Sequence, residues 1–178
     1  MYYLNYRSNH LQLDEASYLD VIVEHHPHYE SLNRKLVEDS LKIEFKQRYD
    51  NIGAEMTGLR TSSPSIILVK KWVEQLIYSK WDYDGSFYCV DISDTWFVRY
   101  GIGDQSFPHD HHMNLLSFVY FVKCPKGSSP LVFTACGKKV KAEEGKIALF
   151  PANILHHVPK NKGEGRLVLA GNLFFTLK

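Results

Sequence analysis

Hydrophobic positions recur every three to four residues in the first half of the chain and gather into short alternating runs in the second. Leu32, Leu36, Val37, Leu41 and Phe45 fall at helical spacing with charges between them, which predicts a helix over Ser31–Tyr49. Ser63-Pro64 supplies an N-cap and a proline at the first helical position. Ile66, Val69, Trp72, Val73, Leu76 and Ile77 then form the apolar stripe of a second helix. Residues 52–61, with Gly53, Thr57 and Gly58, read as a loop. After Tyr83-Asp84-Gly85 the period changes. Phe87–Val90, Thr95–Tyr100, Leu115–Val122, Leu131–Thr134, Ile147–Phe150 and Arg166–Phe175 are short and β-rich, with Gly, Pro, Asp and Asn turns between them. The expected architecture is mainly β with N-terminal helices. Residues 1–82 would form a helical layer packed on a β-sandwich or jelly roll of residues 83–178, in one domain spanning 1–178.

Composition narrows the function classes. Lys plus Arg total 21 against 20 Asp plus Glu, so no basic surface points to nucleic acid or an anionic membrane. Cys89, Cys124 and Cys136 are odd in number and show no CxxC spacing, which suits free thiols in a reducing cytoplasm. The N-terminus lacks the basic-then-apolar pattern of a signal peptide, and no apolar run is long enough to span a bilayer. A cytoplasmic protein is expected, with a homodimer left open.

Two histidine segments carry the candidate chemistry. The first is Pro108-His109-Asp110-His111-His112; the second runs from Gly145 through Phe150-Pro151 to His156-His157-Val158. On a strand, side chains two apart share a face, so His109 and His111 reach one point and Asp110 turns away. His156, from a distant strand, would complete a three-ligand metal site with open positions. His112 and His157 are expected to face outward, away from the site. His25, His26 and His28 lie in a polar segment without a strand pattern and read as an exposed loop, with a weak surface metal site as the minority alternative. Arg166 opens the last strong apolar run. It is either a salt-bridge partner on the sheet surface or, beside a metal, an anchor that holds a carboxylate bidentately. Tyr100, Phe107 and Tyr120 are candidates to line the pocket or to pack the core.

The spacing Tyr100-x-x-Gly103-x-x-x-x-Pro108-His109-x-His111 resembles the first iron motif of prolyl-hydroxylase-type Fe(II)/2-oxoglutarate dioxygenases. Ser117–Pro125 and Pro130–Phe133 resemble the strand pair that follows it, and Gly145–Pro151, His156-x-Val158 and Arg166–Asn172 resemble the second motif. The likeness covers roughly residues 95–175 and is nearest to a group of 2-oxoglutarate-Fe(II) oxygenases also encoded by tailed phages of cyanobacteria, whose setting would be the host cytoplasm. Asn51–Thr57 resembles that group more weakly. The resemblance implies a double-stranded β-helix, Fe(II) on His109 and His156, with His111 in the place of the third ligand, and 2-oxoglutarate as cosubstrate anchored by Arg166, with Tyr100 and Tyr120 beside it. It also implies dioxygen as the oxidant, hydroxylation of a small-molecule or peptide C–H bond, and succinate and carbon dioxide as coproducts. One departure stands out: most of that superfamily has Asp or Glu where this chain has His111. The chain also resembles the cupins, with Gly103 six residues before His109 and Gly145 six before Pro151. The glutamate expected of a cupin is missing, because Met113, Asn114, Leu115 and Leu116 occupy that region. A cupin-type dioxygenase or isomerase is the second reading, and a metal- or ligand-binding module without turnover the third.

Overall fold

The computed structural model describes residues 10–12, 20–46, 51–80 and 88–177. In chain order these form β1 (His10–Gln12), β2 (Asp20–His25), α1 (Tyr29–Ser40), β3 (Ile52–Gly53), β4 (Glu55–Met56), α2 (Pro64–Lys80), β5 (Tyr88–Tyr100), β6 (Gln105–His109), β7 (Leu116–Lys123), β8 (Leu131–Phe133), β9 (Lys139–Val140), β10 (Lys146–Pro151), β11 (His156–Val158) and β12 (Arg166–Leu177). Two antiparallel sheets result. The larger has the order β1-β2-β10-β7-β12-β5-β4 and the smaller β3-β6-β11-β8-β9.

Alternation along the strands decides the layers. On β7, Val119 and Phe121 face the smaller sheet, where they join Val98, Phe133, Phe150 and Val168 in the inter-sheet core. Phe118, Tyr120 and Val122 face the opposite way and pack with Leu36 of α1 and Ile66, Val69 and Val73 of α2. Each fully buried large apolar side chain contributes about 1.5–3 kcal/mol, so both faces of the larger sheet are committed to burial. Gly145 sets the turn into β10: its φ of 81° favours glycine, and an added Cβ would run into Tyr29.

Helix α2 keeps the expected start, with the Ser63 hydroxyl accepting the Ile66 N–H at 3.3 Å, and the expected stripe is buried apart from the partly buried Trp72. Other expectations are corrected. Helix α1 ends at Ser40 rather than Tyr49; the Ser40 hydroxyl donates to the Val37 carbonyl at 2.7 Å, a local bond that competes with helix continuation. Leu41 is left exposed, and Phe45 packs under the Arg99 guanidinium at 4.3 Å, so their helical spacing was coincidental. Residues 47–49 of that expected helix, and Phe87 of the first expected strand, lie outside the described residues.

The expected loop 52–61 holds two short strands, β3 pairing with β6 and β4 with β5, so the chain steps between sheets at Ala54. The N-terminal half is therefore not only a helical layer. Strand β2 pairs with β10, and Val21 and Ile22 are buried on opposite faces of the sheet. His25 ends this strand instead of lying in a loop, while Pro27 and His28 remain exposed. The two runs expected at 87–90 and 95–100 are one strand, β5. Its polar middle pairs with β12 through a register shift between Asn172 and Phe174.

Candidate metal centre

Strands β6 and β11 are antiparallel neighbours, and their register sets His156 directly opposite His109. Such cross-strand pairs hold their Cβ atoms about 4.5–5.5 Å apart. The two imidazole centroids are 4.5 Å apart. His111 arrives differently. Strand β6 ends at His109, so strand pairing does not place His111. Its backbone N–H instead donates to the Ala152 carbonyl at 2.7 Å, and its own carbonyl accepts the Asn114 N–H at 2.8 Å. These bonds keep the short segment after β6 against the end of β10 and bring the ring of His111 within 5.2 Å of His109 and 5.3 Å of His156. One ligand nitrogen from each of the three histidines lies within 4.8 Å of the others.

The free nitrogens are chemically specified. His109 Nδ1 lies 2.7 Å from the Phe107 carbonyl and His156 Nδ1 lies 2.9 Å from the Ile154 carbonyl. A carbonyl only accepts, so Nδ1 carries the proton and Nε2 keeps its lone pair for a metal. Burial holds all three rings neutral. Desolvation, reinforced by neighbouring His109, lowers His156 to about 3 and His111 to about 4, and desolvation also lowers His109. Asp110 stays outside the cluster: its carboxylate accepts from His112 Nδ1 at 2.9 Å, and that bond lowers its pKa. His157 Nδ1 meets the Thr134 hydroxyl at 3.0 Å on the exposed side.

A cavity runs from the three histidines along the inner face of β5 and β12. Trp96, Val98, Tyr100, Val168, Ala170 and Arg166 line it. Arg166 is 0% exposed, with its guanidinium carbon 4.5 Å from the Tyr100 ring centroid and 5.5 Å from that of Phe121. None of its three nitrogens has a hydrogen-bond partner among the described residues. Burial lowers its pKa, and Tyr100 and Cys124 offset part of the effect. The loop before β12 is fixed by the buried Asn161, whose side-chain amide donates to the Gly163 carbonyl at 2.6 Å and whose carbonyl oxygen accepts the Ser129 N–H at 2.9 Å. This arrangement fits an absent pair of groups: three lone pairs for a divalent metal, and an unpaired buried guanidinium for an anion in the same cavity.

Tyr100 stands in the cavity wall, while Tyr120 does not. Tyr120 faces the helices, where its hydroxyl donates to Asn33 Oδ1 at 2.7 Å, because it sits one residue out of phase with Val119 and Phe121. Phe107 is half exposed. Trp96, read from the sequence only as part of the expected strand Thr95–Tyr100, also lines the cavity. Its signal was present in the alternation 96-98-100, which puts it on the face of Tyr100.

No family model and no curated protein matches the sequence. Solved structures do match in fold. A prolyl-4-hydroxylase from Pseudomonas putida aligns at a TM-score of 0.68 and 16% identity, over 91% of this chain and 96% of that one. The viral collagen prolyl hydroxylase of Paramecium bursaria Chlorella virus-1, in complex with 2-oxoglutarate, aligns at 0.66 and 15%, over 85% and 94%. HygX from Streptomyces hygroscopicus, with nickel and 2-oxoglutarate bound, aligns at 0.65 and 8%, over 86% and 82%. The chain thus shares the fold of 2-oxoglutarate-Fe(II) oxygenases.

Proposed function

We propose that this protein is a non-heme Fe(II)- and 2-oxoglutarate-dependent oxygenase, a hydroxylase of a small-molecule or peptide C–H bond, built as one double-stranded β-helix domain. The observation that carries this reading is Arg166, a wholly buried cation in the cavity of the histidine cluster with no carboxylate partner among the described residues. A buried charge persists only when something compensates it, and a planar guanidinium matches a carboxylate. The shared fold supports the reading, since viral collagen prolyl hydroxylase and HygX both hold 2-oxoglutarate on it.

In this scheme His109, His111 and His156 hold the metal through Nε2 or its equivalent, and the Phe107 and Ile154 carbonyls fix two of the rings. Arg166 takes the distal carboxylate of 2-oxoglutarate, with Tyr100 stacked beneath the guanidinium. When bound, Fe(II), 2-oxoglutarate and dioxygen together supply oxidative decarboxylation to succinate and carbon dioxide, coupled to hydroxylation of the substrate. The apolar wall of Val98, Val168 and Ala170 excludes water between the two polar ends. Three free cysteines and a site for a redox metal suit a cytoplasmic setting. Among the described residues, no helix is long and apolar enough to cross a membrane.

The third histidine favours a second reading, a cupin-type metal enzyme or binding protein that does not use 2-oxoglutarate, because the ligand set lacks a carboxylate. Anaerobic titration of the metal-free protein with Fe(II) and then 2-oxoglutarate separates the two. A visible charge-transfer band, followed by succinate formation on admitting dioxygen, supports the oxygenase. Tight metal binding with no response to 2-oxoglutarate supports the cupin-type alternative. Imidazole-rich sites prefer Ni, Cu or Zn over Fe(II) on intrinsic affinity, so the titration begins from chelator-stripped protein.

A further inference from the structure

The cavity has two ends, and only one has been assigned. Trp96 is 4% exposed, its indole Nε1 is buried, and that N–H has no acceptor among the described residues. Its ring stands 5.9 Å from the ring of His111. Of the two serines in the wall, the Ser106 hydroxyl oxygen accepts the Val158 N–H at 2.8 Å and the Ser117 hydroxyl donates to Asn172 Oδ1 at 2.8 Å. A buried unsatisfied donor costs about 1–3 kcal/mol, so an acceptor is expected when the site is in use. The register of β5 on β12 fixes where. Tyr100 opposes Arg166, and Trp96 opposes Ala170, four residues and about 13 Å further along the strand toward the histidines.

Resting on the function proposed above, we infer that the Trp96 indole N–H is a cosubstrate-binding group. It donates to the carboxylate of 2-oxoglutarate at the metal end, while Arg166 holds the distal carboxylate. Three neutral imidazoles leave the metal its full double charge, so an anionic chelating carboxylate is drawn strongly to that end. A carboxylate that gives one oxygen to the metal has a second oxygen in need of a donor, and Trp96 is the unengaged one beside His111. The pair of donors sets a length for the ligand: an acid with carboxylates at both ends engages both, and a shorter oxo acid engages one.

The test uses the full chain loaded with diamagnetic Zn(II), labelled with nitrogen-15 at the indoles and titrated with 2-oxoglutarate. Binding is followed by calorimetry and the indole N–H signals by NMR. The Trp96 signal is identified by its absence in Trp96→Phe, and the Trp72 signal, from the helix side of the sheet, is the internal reference. The expected result is a downfield shift of the Trp96 proton alone. In Trp96→Phe, 2-oxoglutarate should bind about tenfold more weakly with Zn(II) affinity unchanged, the scale of one hydrogen bond to a charged group. Binding of 2-oxoglutarate to the wild type without movement of the Trp96 signal would overturn this inference and leave the proposed function standing. No binding to the wild type would overturn both. Should Trp96→Phe misfold, Trp72→Phe and Trp81→Phe assign the other two indole signals and leave that of Trp96 by elimination, so the wild-type spectrum still decides.

Discussion

Replacing Arg166 with Met should make the protein more stable and deprive it of its cosubstrate. The guanidinium is completely buried, and among the described residues no carboxylate pairs with it and none of its nitrogens meets an acceptor in hydrogen-bonding geometry. An uncompensated buried ion costs several kcal/mol even after relaxation. Contact with the Tyr100 and Phe121 rings returns about 0.5–2 kcal/mol of this. Methionine fills a similar volume, carries no charge, and makes thioether contacts with the same rings worth about 0.3–1.5 kcal/mol. The net expectation is stabilisation of the metal-free protein by about 1–3 kcal/mol, a rise in Tm of roughly 3–9 °C for a chain of this size. Ligand linkage should run the other way. With Zn(II) bound and 2-oxoglutarate at about a hundred times its Kd, the wild type gains about 2.7 kcal/mol, and Arg166→Met gains none. Guanidinium chloride unfolding of both proteins, metal-free and Zn(II)-loaded with and without 2-oxoglutarate, reads all these terms. A metal-free Arg166→Met less stable than wild type would show that the guanidinium is already compensated, and the argument for a missing anion would fall.

Acid should weaken the metal-free fold. His156 and His111 stay neutral to about 3 and about 4 in the folded state, while the unfolded chain protonates near the ordinary 6.5. Stability is therefore full above that value and falls as pH drops toward the folded values, with each group adding up to about 1.4 kcal/mol per pH unit. A His111→Gln/His156→Gln double variant should show a flatter profile over the same range, and identical profiles would refute the assignment. Asp110→Asn should leave metal stoichiometry unchanged by elemental analysis, because the carboxylate serves His112; loss of metal would place Asp110 among the ligands. Tyr120→Phe should cost about 1–2 kcal/mol in unfolding free energy by removing the bond to Asn33, with no change in 2-oxoglutarate affinity. Gly171→Ala should destabilise by about 1–3 kcal/mol, since its methyl would sit 2.5 Å from Phe118 Cε1 and 2.8 Å from the Asp94 carbonyl oxygen.

Local pattern determined a good deal of this protein. The Ser63-Pro64 start and the stripe of α2 and the β-rich second half follow from spacing and from the chemistry of single residues. The sequence also marked His109, His111, His156 and Arg166, because an imidazole pair two residues apart and an arginine entering an apolar run are locally unusual. Tertiary structure decided the rest. Strands β3 and β4 are two residues long and exist only because longer partners accept them, so no periodicity announces them. Strand β2 contributes to the cores on both faces of the sheet, which erases the alternation that would have marked it. The face of Tyr120 depends on the phase of β7 against the two cores. Convergence of His111 depends on a backbone bond to Ala152, forty-one positions along the chain. That Arg166 and Trp96 share one cavity with the histidines follows from the register of β12 on β5. Register is a property of two segments together, and neither segment carries it alone.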